Sequence, residues 1–225
     1  MGEVIRKDAA ADDIAADCNT TLANAAARGG TWKQLAHERL GPTMALYTKV
    51  AADLSQTEAT LGPLLAVIKA TDQETDDFLS AKADEMWNLI GRPAFDAAYS
   101  LVWPGGPSTY TDGPDNEQPE RMELLAELLT ANLHPKVDAA WATALADDVR
   151  ARAKTYRAHL DAIHPQRSKL NLLKKMRGTV ARAAQMEIAR LKKRYLAEGF
   201  TEVDVHQVIP DRPRPKAAKS ASLPN

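Results

Sequence analysis

The stretch that decides the fold of this protein is SKLNLLKKMRGTVARAAQMEIARLKKRYLAE, residues 168–198. Its apolar side chains recur every three to four residues, the spacing that places them on one face of an α-helix. The stripe consists of Leu173, Met176, Val180, Ala184, Ile188, Leu191 and Tyr195. Gly199 follows directly, and glycine is the residue that most often ends a helix. We therefore predict one long helix over 168–198 that buries this face.

Residues 135–163 repeat the pattern with a second apolar stripe. Its members are Val137, Trp141, Leu145, Val149, Tyr156, Leu160 and Ile163. His164-Pro165 separates the two stripes, and proline disfavours a helix interior because it lacks the N–H donor and clashes with the preceding turn. A short connector between amphipathic helices of equal length favours an antiparallel pair. Residues 135–163 and 168–198 are therefore predicted to form a long C-terminal helical hairpin.

The rest of the chain also favours helices. Apolar residues at helical spacing precede Gly29-Gly30, and Thr71 and Pro119 begin further stretches with the same period. Aromatic residues make up only 5% of the chain, so its core must consist mostly of small and aliphatic side chains, which suit helix-on-helix packing. The predicted fold class is all-α, an elongated multi-helix bundle. Residues 1–199 are predicted to form this bundle domain, and residues 200–225 an extended, Pro-rich basic tail.

One segment of the predicted bundle, residues 101–119, is rich in Gly, Pro, Ser, Thr and Asp and reads as a loop. Long irregular segments in compact domains are usually functional or disordered. Trp103 and Tyr110 are amphipathic side chains of the kind enriched at protein interfaces. The loop is therefore either a connector whose aromatic residues pack back onto the bundle, or a docking loop that contacts another protein.

The tail combines a strand-like segment with a basic arm. Its apolar residues are Val203, Val205, Val208 and Ile209, and the arm carries Arg212 and Arg214. Extended segments commonly dock onto another chain as an added strand or along a groove. We therefore predict these six residues as contacts to a neighbouring subunit or partner.

Charge is segregated along the chain although the total is only −1. Residues 1–148 contain 24 Asp and Glu against 11 Lys and Arg, a net charge of −13, and residues 149–225 contain 6 against 18, a net charge of +12. The predicted last helix carries five basic residues opposite its apolar stripe: Lys174, Lys175, Arg182, Lys192 and Lys193. This basic face could pair with the acidic N-terminal helices, mediate self-assembly, or bind nucleic acid through phosphate contacts.

The motifs of common catalytic sites do not occur in the sequence. No Glu-x-x-His pair, G-x-S-x-G, Walker A or G-x-G-x-x-G pattern is found, and Cys18, the single cysteine, is predicted to be a buried, inert thiol. His134 and His164 precede prolines, which favours turn or cap roles over metal binding. We therefore predict no catalytic, cofactor-binding or metal-binding residue.

The N-terminus shows no apolar segment typical of a secretory signal. The most apolar window, residues 61–70, is too short to span a bilayer. These features predict a protein of the cytoplasm, or of a particle assembled there, without membrane contact.

Together these patterns predict a non-enzymatic structural or assembly protein. It would form homo-oligomers or dock into a larger complex, for instance a virion or another large particle, through its charge-segregated ends and tail. Nucleic-acid binding through the basic last helix and arm is the first alternative, and an enzyme of unrecognised type is the second.

Overall fold

The structure is a computed structural model that describes residues 9–210. Within that range the chain forms helices and no strand, which confirms the all-α bundle predicted from the sequence. The helices are α1 (Ala11–Arg28), α2 (Gly30–Leu89), α3 (Ala97–Val102), α4 (Ser108–Thr111), α5 (Gln118–Thr130), α6 (Ala139–Ala197) and α7 (Glu202–Val208).

The chain divides into two compact units. Unit 1 comprises residues 1–56 and 170–225, and unit 2 comprises residues 57–169, so each unit takes one part of α2 and one part of α6. Over its described residues, 9–56 and 170–210, unit 1 contains 12 Lys and Arg against 9 Asp and Glu, a net charge of +3, whereas unit 2 contains 11 against 18, a net charge of −7. The two units therefore do not correspond to the acidic and basic parts of the sequence, because the acidic α1 shares a unit with the basic end of α6.

The core of unit 1 is built by α1, the first part of α2, the last part of α6 and α7. Its central aromatic contact is between Trp32 and Tyr195, whose ring centroids lie 4.4 Å apart. The Tyr195 hydroxyl donates a 2.8 Å hydrogen bond to the Trp32 carbonyl oxygen. Phe200 stacks on the Trp32 ring at 4.0 Å. Gly199 has a φ of 88°, the left-handed conformation expected at a helix C-cap, so the predicted end of this helix is confirmed.

The segment predicted to be an extended docking strand is instead helix α7, which packs into unit 1. The side chains of Val205, Val208 and Ile209 are buried in the same core as Tyr195, whereas Val203 is exposed. The Asn24 amide donates a 3.1 Å hydrogen bond to the Val208 carbonyl oxygen. The prediction of an intermolecular strand is wrong over these residues, because a seven-residue helix buries their apolar side chains within their own unit. Arg212 and Arg214 lie outside the described residues.

A sequence signal for α7 does exist. Thr201 is its N-cap, and the threonine side chain accepts a 3.3 Å hydrogen bond from the Asp204 backbone N–H. A Ser or Thr followed three residues later by an acidic residue is a signature of a helix start. The apparent alternation of valines outweighed this signal in the sequence-based prediction.

The Gly/Pro-rich segment 101–119 forms part of the core of unit 2. It includes the end of α3, all of α4 and the start of α5. Trp103 and Tyr110 are buried there, with their rings edge to face at 5.8 Å. The Trp103 indole N–H points to the Met86 sulfur at 3.3 Å, and the Tyr110 hydroxyl donates to the Val102 carbonyl oxygen. These contacts agree with the connector interpretation and leave neither aromatic side chain exposed for docking.

The predicted hairpin of 135–163 and 168–198 is wrong, because α6 continues through His164 and Pro165 as one helix. Leu173, Val180, Ile188 and Leu191 are buried, as predicted from their spacing. The last three pack in unit 1 against α1, α2 and α7 rather than against residues 137–156, and Leu173 packs there with Val50 and Leu54. Apolar side chains buried on both sides of Pro165, such as Ile163 and Leu173, outweigh the loss of one backbone hydrogen bond.

Candidate protein-interaction surfaces

The last part of α6 presents a second face that does not pack in unit 1. Leu172 and Met186 have 58% and 53% of their surface exposed, and Met176, predicted to be buried, has 38% exposed. The exposed positions Leu172, Met176, Thr179, Ala183, Met186, Arg190 and Lys193 follow one another at intervals of three or four residues. This spacing places them in a single line along the helix, as in the seam of a coiled coil. We call this line the α6 outer face.

Basic side chains border the α6 outer face. Lys175, Arg182 and Lys193 are exposed, and helical geometry places all three along one edge of the line. Lys174 is exposed but lies further around the helix. Lys192 points elsewhere, because its Nζ lies 3.4 Å from a Glu202 carboxylate oxygen and 3.2 Å from the His206 ring. Of the five basic residues predicted as one face, the structure therefore groups three.

One contact supports the interpretation that the basic helix pairs with the acidic N-terminal helices. Arg177 of α6 lies 3.5 Å from the Asp12 carboxylate of α1, and the same carboxylate accepts a 2.6 Å hydrogen bond from the Tyr47 hydroxyl. This hydrogen bond and burial raise the pKa of Tyr47 to about 12. The pairing involves Arg177, which was not among the predicted basic residues. The ion pair between Arg177 and Asp12 leaves the α6 outer face exposed.

Helix α5 in unit 2 carries an exposed face of opposite charge. Glu120, Leu124, Glu127 and Ala131 are exposed at intervals of four, three and four residues, and Leu124 has 52% of its surface exposed. Glu123 flanks this line and lies 4.0 Å from Arg157. The opposite side of α5 holds the buried Met122, Leu125 and Leu129. We call the line formed by Glu120, Leu124, Glu127 and Ala131 the α5 outer face.

Two further apolar side chains are exposed near the ends of α3: Phe95, which precedes the helix, has 74% of its surface exposed, and Leu101, close to its end, has 61%. The neighbouring Asp96 is the N-cap of α3 and accepts a 2.8 Å hydrogen bond from the Tyr99 backbone N–H. His134 lies 3.1 Å from the second Asp96 oxygen, and its Nδ1 accepts a hydrogen bond from the Lys136 backbone N–H. The proton of neutral His134 therefore sits on Nε2 and is donated to Asp96. This histidine has the turn role predicted for it.

The pKa of Asp96 leads to a prediction about how the stability of the protein depends on pH. The Tyr99 backbone N–H and then His134 hold the pKa of the Asp96 carboxyl below its usual value of 3.8. A lowered pKa in the folded state stabilises the fold above pH 3.8, and this stabilisation is lost as the pH falls through the lower, folded-state value. Asp96→Ala is therefore expected to lower the melting temperature at pH 7 and to have a much smaller effect at pH 2.5. Asp161→Ala, which removes an exposed carboxylate within α6, is the control. An equal loss at both pH values would contradict the prediction.

A polar groove lies between α2 and α6 in unit 2. It has a volume of about 440 Å³ and is lined by eight residues: Thr71, Glu74, Thr75, Asp148, Ala151, Arg152, Thr155 and His159. The Thr71 hydroxyl and the His159 Nδ1 are 3.1 Å apart, and the Arg152 guanidinium lies 4.0 Å above the Phe78 ring. These contacts are made to neighbouring helices and hold the groove walls together.

The thiol of Cys18 is buried in unit 1, as predicted. Burial, together with Asp17, raises the pKa of this thiol to about 12. Across residues 9–210, no group of three or more His, Cys, Asp and Glu side chains could hold a metal ion. No helix in the same range is long and apolar enough to cross a membrane.

The fold defines an all-α, two-unit helical protein with charged, partly apolar helix faces. Comparison with protein-family models finds no family that matches the chain, and comparison with curated proteins and with solved structures finds no significant match.

Proposed function

We propose that this protein is a non-enzymatic assembly protein that associates with other chains through the α6 outer face. The observation that carries the proposal is the exposure of Leu172, Met176 and Met186 on one line of a helix that buries a separate apolar stripe in the core of unit 1. A helix that is apolar on two sides buries one in its own fold and has the other available for a partner. Contiguous exposed apolar surface bordered by polar residues is typical of interaction sites.

The charges around the face support association rather than simple solvation. Lys175 and Arg182 border the apolar line and Lys193 lies at its end, in a unit whose described residues have a net charge of +3. Basic residues at the rim of an interface steer an acidic partner and fix its orientation. A larger particle of many such chains, or a complex with an acidic protein, would use this face in the same way.

Nucleic-acid binding is the alternative that the same three basic residues favour. Clustered cations attract a phosphate backbone regardless of sequence. The α6 outer face, however, presents Leu and Met side chains between its cations and lacks the aromatic residues on which bases stack. An apolar line of this kind suits a helix of another protein better than a nucleic acid.

The test is the double charge reversal Lys175→Glu with Lys193→Glu, measured by sedimentation velocity from about 1 µM to about 1 mM, the range of weak to moderate affinities. We expect the wild-type chain to form larger species as its concentration rises and the variant to stay monomeric. Lys49→Glu with Lys154→Glu makes the same change of charge at exposed lysines away from this face and is expected to behave as wild type.

Two outcomes would contradict the proposal. A wild-type chain that is monomeric throughout this range would exclude self-association. A wild-type chain that changes size only when a single-stranded oligonucleotide is added, with the Lys175→Glu, Lys193→Glu variant unresponsive, would favour the nucleic-acid alternative.

A further inference from the structure

The α6 outer face needs a partner surface with an apolar line, acidic borders and helical spacing. The α5 outer face has these properties: Leu124 lies between Glu120 and Glu127, with Ala131 on the same line. Exposed residues on both faces recur every three and four positions, the spacing by which two helices pack side chains between one another. The two faces therefore match in charge, in spacing and in having exposed aliphatic side chains.

We propose that the α6 outer face of one copy of this chain packs on the α5 outer face of a second copy. This inference rests on the proposed function and names its partner. Both faces are exposed in the described chain, with 58% and 53% of the surface exposed at Leu172 and Met186 and 52% at Leu124. Both faces are therefore available to a neighbouring copy.

The net charges of the two units support a second copy of the chain as the partner. Over its described residues, unit 1, which carries the α6 outer face, has a net charge of +3, and unit 2, which carries the α5 outer face, has a net charge of −7. Attraction between oppositely charged surfaces raises the association rate and fixes the register of a complex. A pairing of two α6 outer faces would instead place Lys175, Arg182 and Lys193 against the same residues of the second copy, which like-charge repulsion opposes.

The symmetry of the assembly follows from this pairing. Because two different surfaces meet, the contact is heterologous, and each copy keeps one face of each kind free to bind the next copy. Such a contact builds a closed ring or an open chain of subunits and does not end at a simple dimer. We expect species larger than a dimer to appear as concentration rises. We also expect them to dissociate when ionic strength is raised from about 0.01 M to about 1 M, because the screening length falls from about 30 Å to about 3 Å.

The test is a charge exchange between the two faces in the full-length chain. Glu120→Lys with Glu127→Lys should weaken self-association more than about tenfold, as should Lys175→Glu with Lys193→Glu, since each places like charges across the contact. Combining all four substitutions in one chain restores opposite charges and should return the sedimentation profile toward that of wild type. A general loss of stability cannot produce this recovery.

Helix stability requires its own control. Glu120 lies in the first turn of α5, where a lysine opposes the helix dipole, whereas Glu127 lies in the last turn, where a lysine is favourable. Glu127→Lys alone is therefore the second variant, and its melting temperature should be close to that of wild type while its self-association is weaker. Lys49→Glu with Lys154→Glu again serves as the control for total charge that matches Lys175→Glu with Lys193→Glu.

The outcomes separate this inference from the proposed function. If Lys175→Glu with Lys193→Glu abolishes association while the α5 variants assemble as wild type, the α6 outer face is a docking surface and α5 is not its partner. If the fourfold variant fails to recover although it folds, the pairing is also wrong. If the wild-type chain never associates, both proposals fail together.

Discussion

Trp103→Ala is expected to lower the free energy of unfolding by about 3–5 kcal/mol, the range for removing a large aromatic side chain from a core. Trp103 is only 2% exposed, its indole N–H points to the Met86 sulfur, and its ring meets that of Tyr110. Alanine would leave a cavity in unit 2 and remove the apolar contact that holds segment 101–119 in place. Chemical denaturation followed by circular dichroism gives the measurement.

Leu101→Ala is the matched control for this prediction. Leu101 is two residues away in the same segment but has 61% of its surface exposed, so its replacement is expected to change stability by no more than about 0.5 kcal/mol. If Trp103→Ala unfolds at the same denaturant concentration as the parent chain, the segment is not part of the core. A deletion of residues 105–115 should likewise destabilise the protein, because it removes the buried Tyr110.

The second large effect is expected in unit 1, where Leu191→Ala should lower the free energy of unfolding by about 2–5 kcal/mol. Leu191 has none of its surface exposed and lies in the cluster that joins α1, α2, α6 and α7. The lost methyl groups leave a cavity that surrounding helices can fill only in part, since α6 is held on both sides of this position by Ile188 and Tyr195.

Leu196→Ala provides the comparison for Leu191→Ala. It is the same substitution five residues later in the same helix, at a position with 38% of its surface exposed, and the loss should be clearly smaller. Equal losses at both positions would contradict the difference in burial, since alanine is the better helix former and helix propensity cannot cause a loss at either position. The predicted placement of the apolar stripe would then be incorrect.

The helical class of this protein and the buried face of its last helix could be predicted from local sequence. Helical periodicity places seven apolar residues on one face. Six of them are buried, namely Leu173, Val180, Ala184, Ile188, Leu191 and Tyr195, whereas Met176 is exposed. Periodicity is set by the 3.6-residue turn, which is a property of the helix itself and does not depend on the partner. The burial of Cys18 was predicted for the same reason.

The ends of the long helices could not be predicted in this way. Pro42, Pro63 and Pro165 all lie inside helices, although proline costs about 3 kcal/mol in a helix interior. Burial of a single large aliphatic side chain contributes about 1.5–3 kcal/mol, and Leu40, Met44 and Leu61 are buried close to the first two prolines. Whether a helix continues past a proline therefore depends on this packing, which cannot be predicted from the local sequence.

The candidate site was predicted only in part, since the sequence indicated a basic last helix but not which of its residues share a surface. Lys192 turns to Glu202 and His206 because α7 folds back on α6, whereas Lys175 and Lys193 stay exposed. The acidic α5 outer face was not predicted, although Leu124 lies outside the helical stripe formed by the buried Met122, Leu125 and Leu129.

The sequence by itself determined that the chain is helical and most of the apolar stripe that the last helix buries, since both follow from interactions within a few residues along the chain. Only the tertiary structure decided that α6 is one helix, that residues 202–208 form a helix in the core, and that Trp103 and Tyr110 are buried. In each case the deciding energy comes from contacts between residues far apart in sequence. The Tyr195 hydroxyl, for example, donates a hydrogen bond to the Trp32 carbonyl oxygen, and no local sequence pattern predicts such a pair.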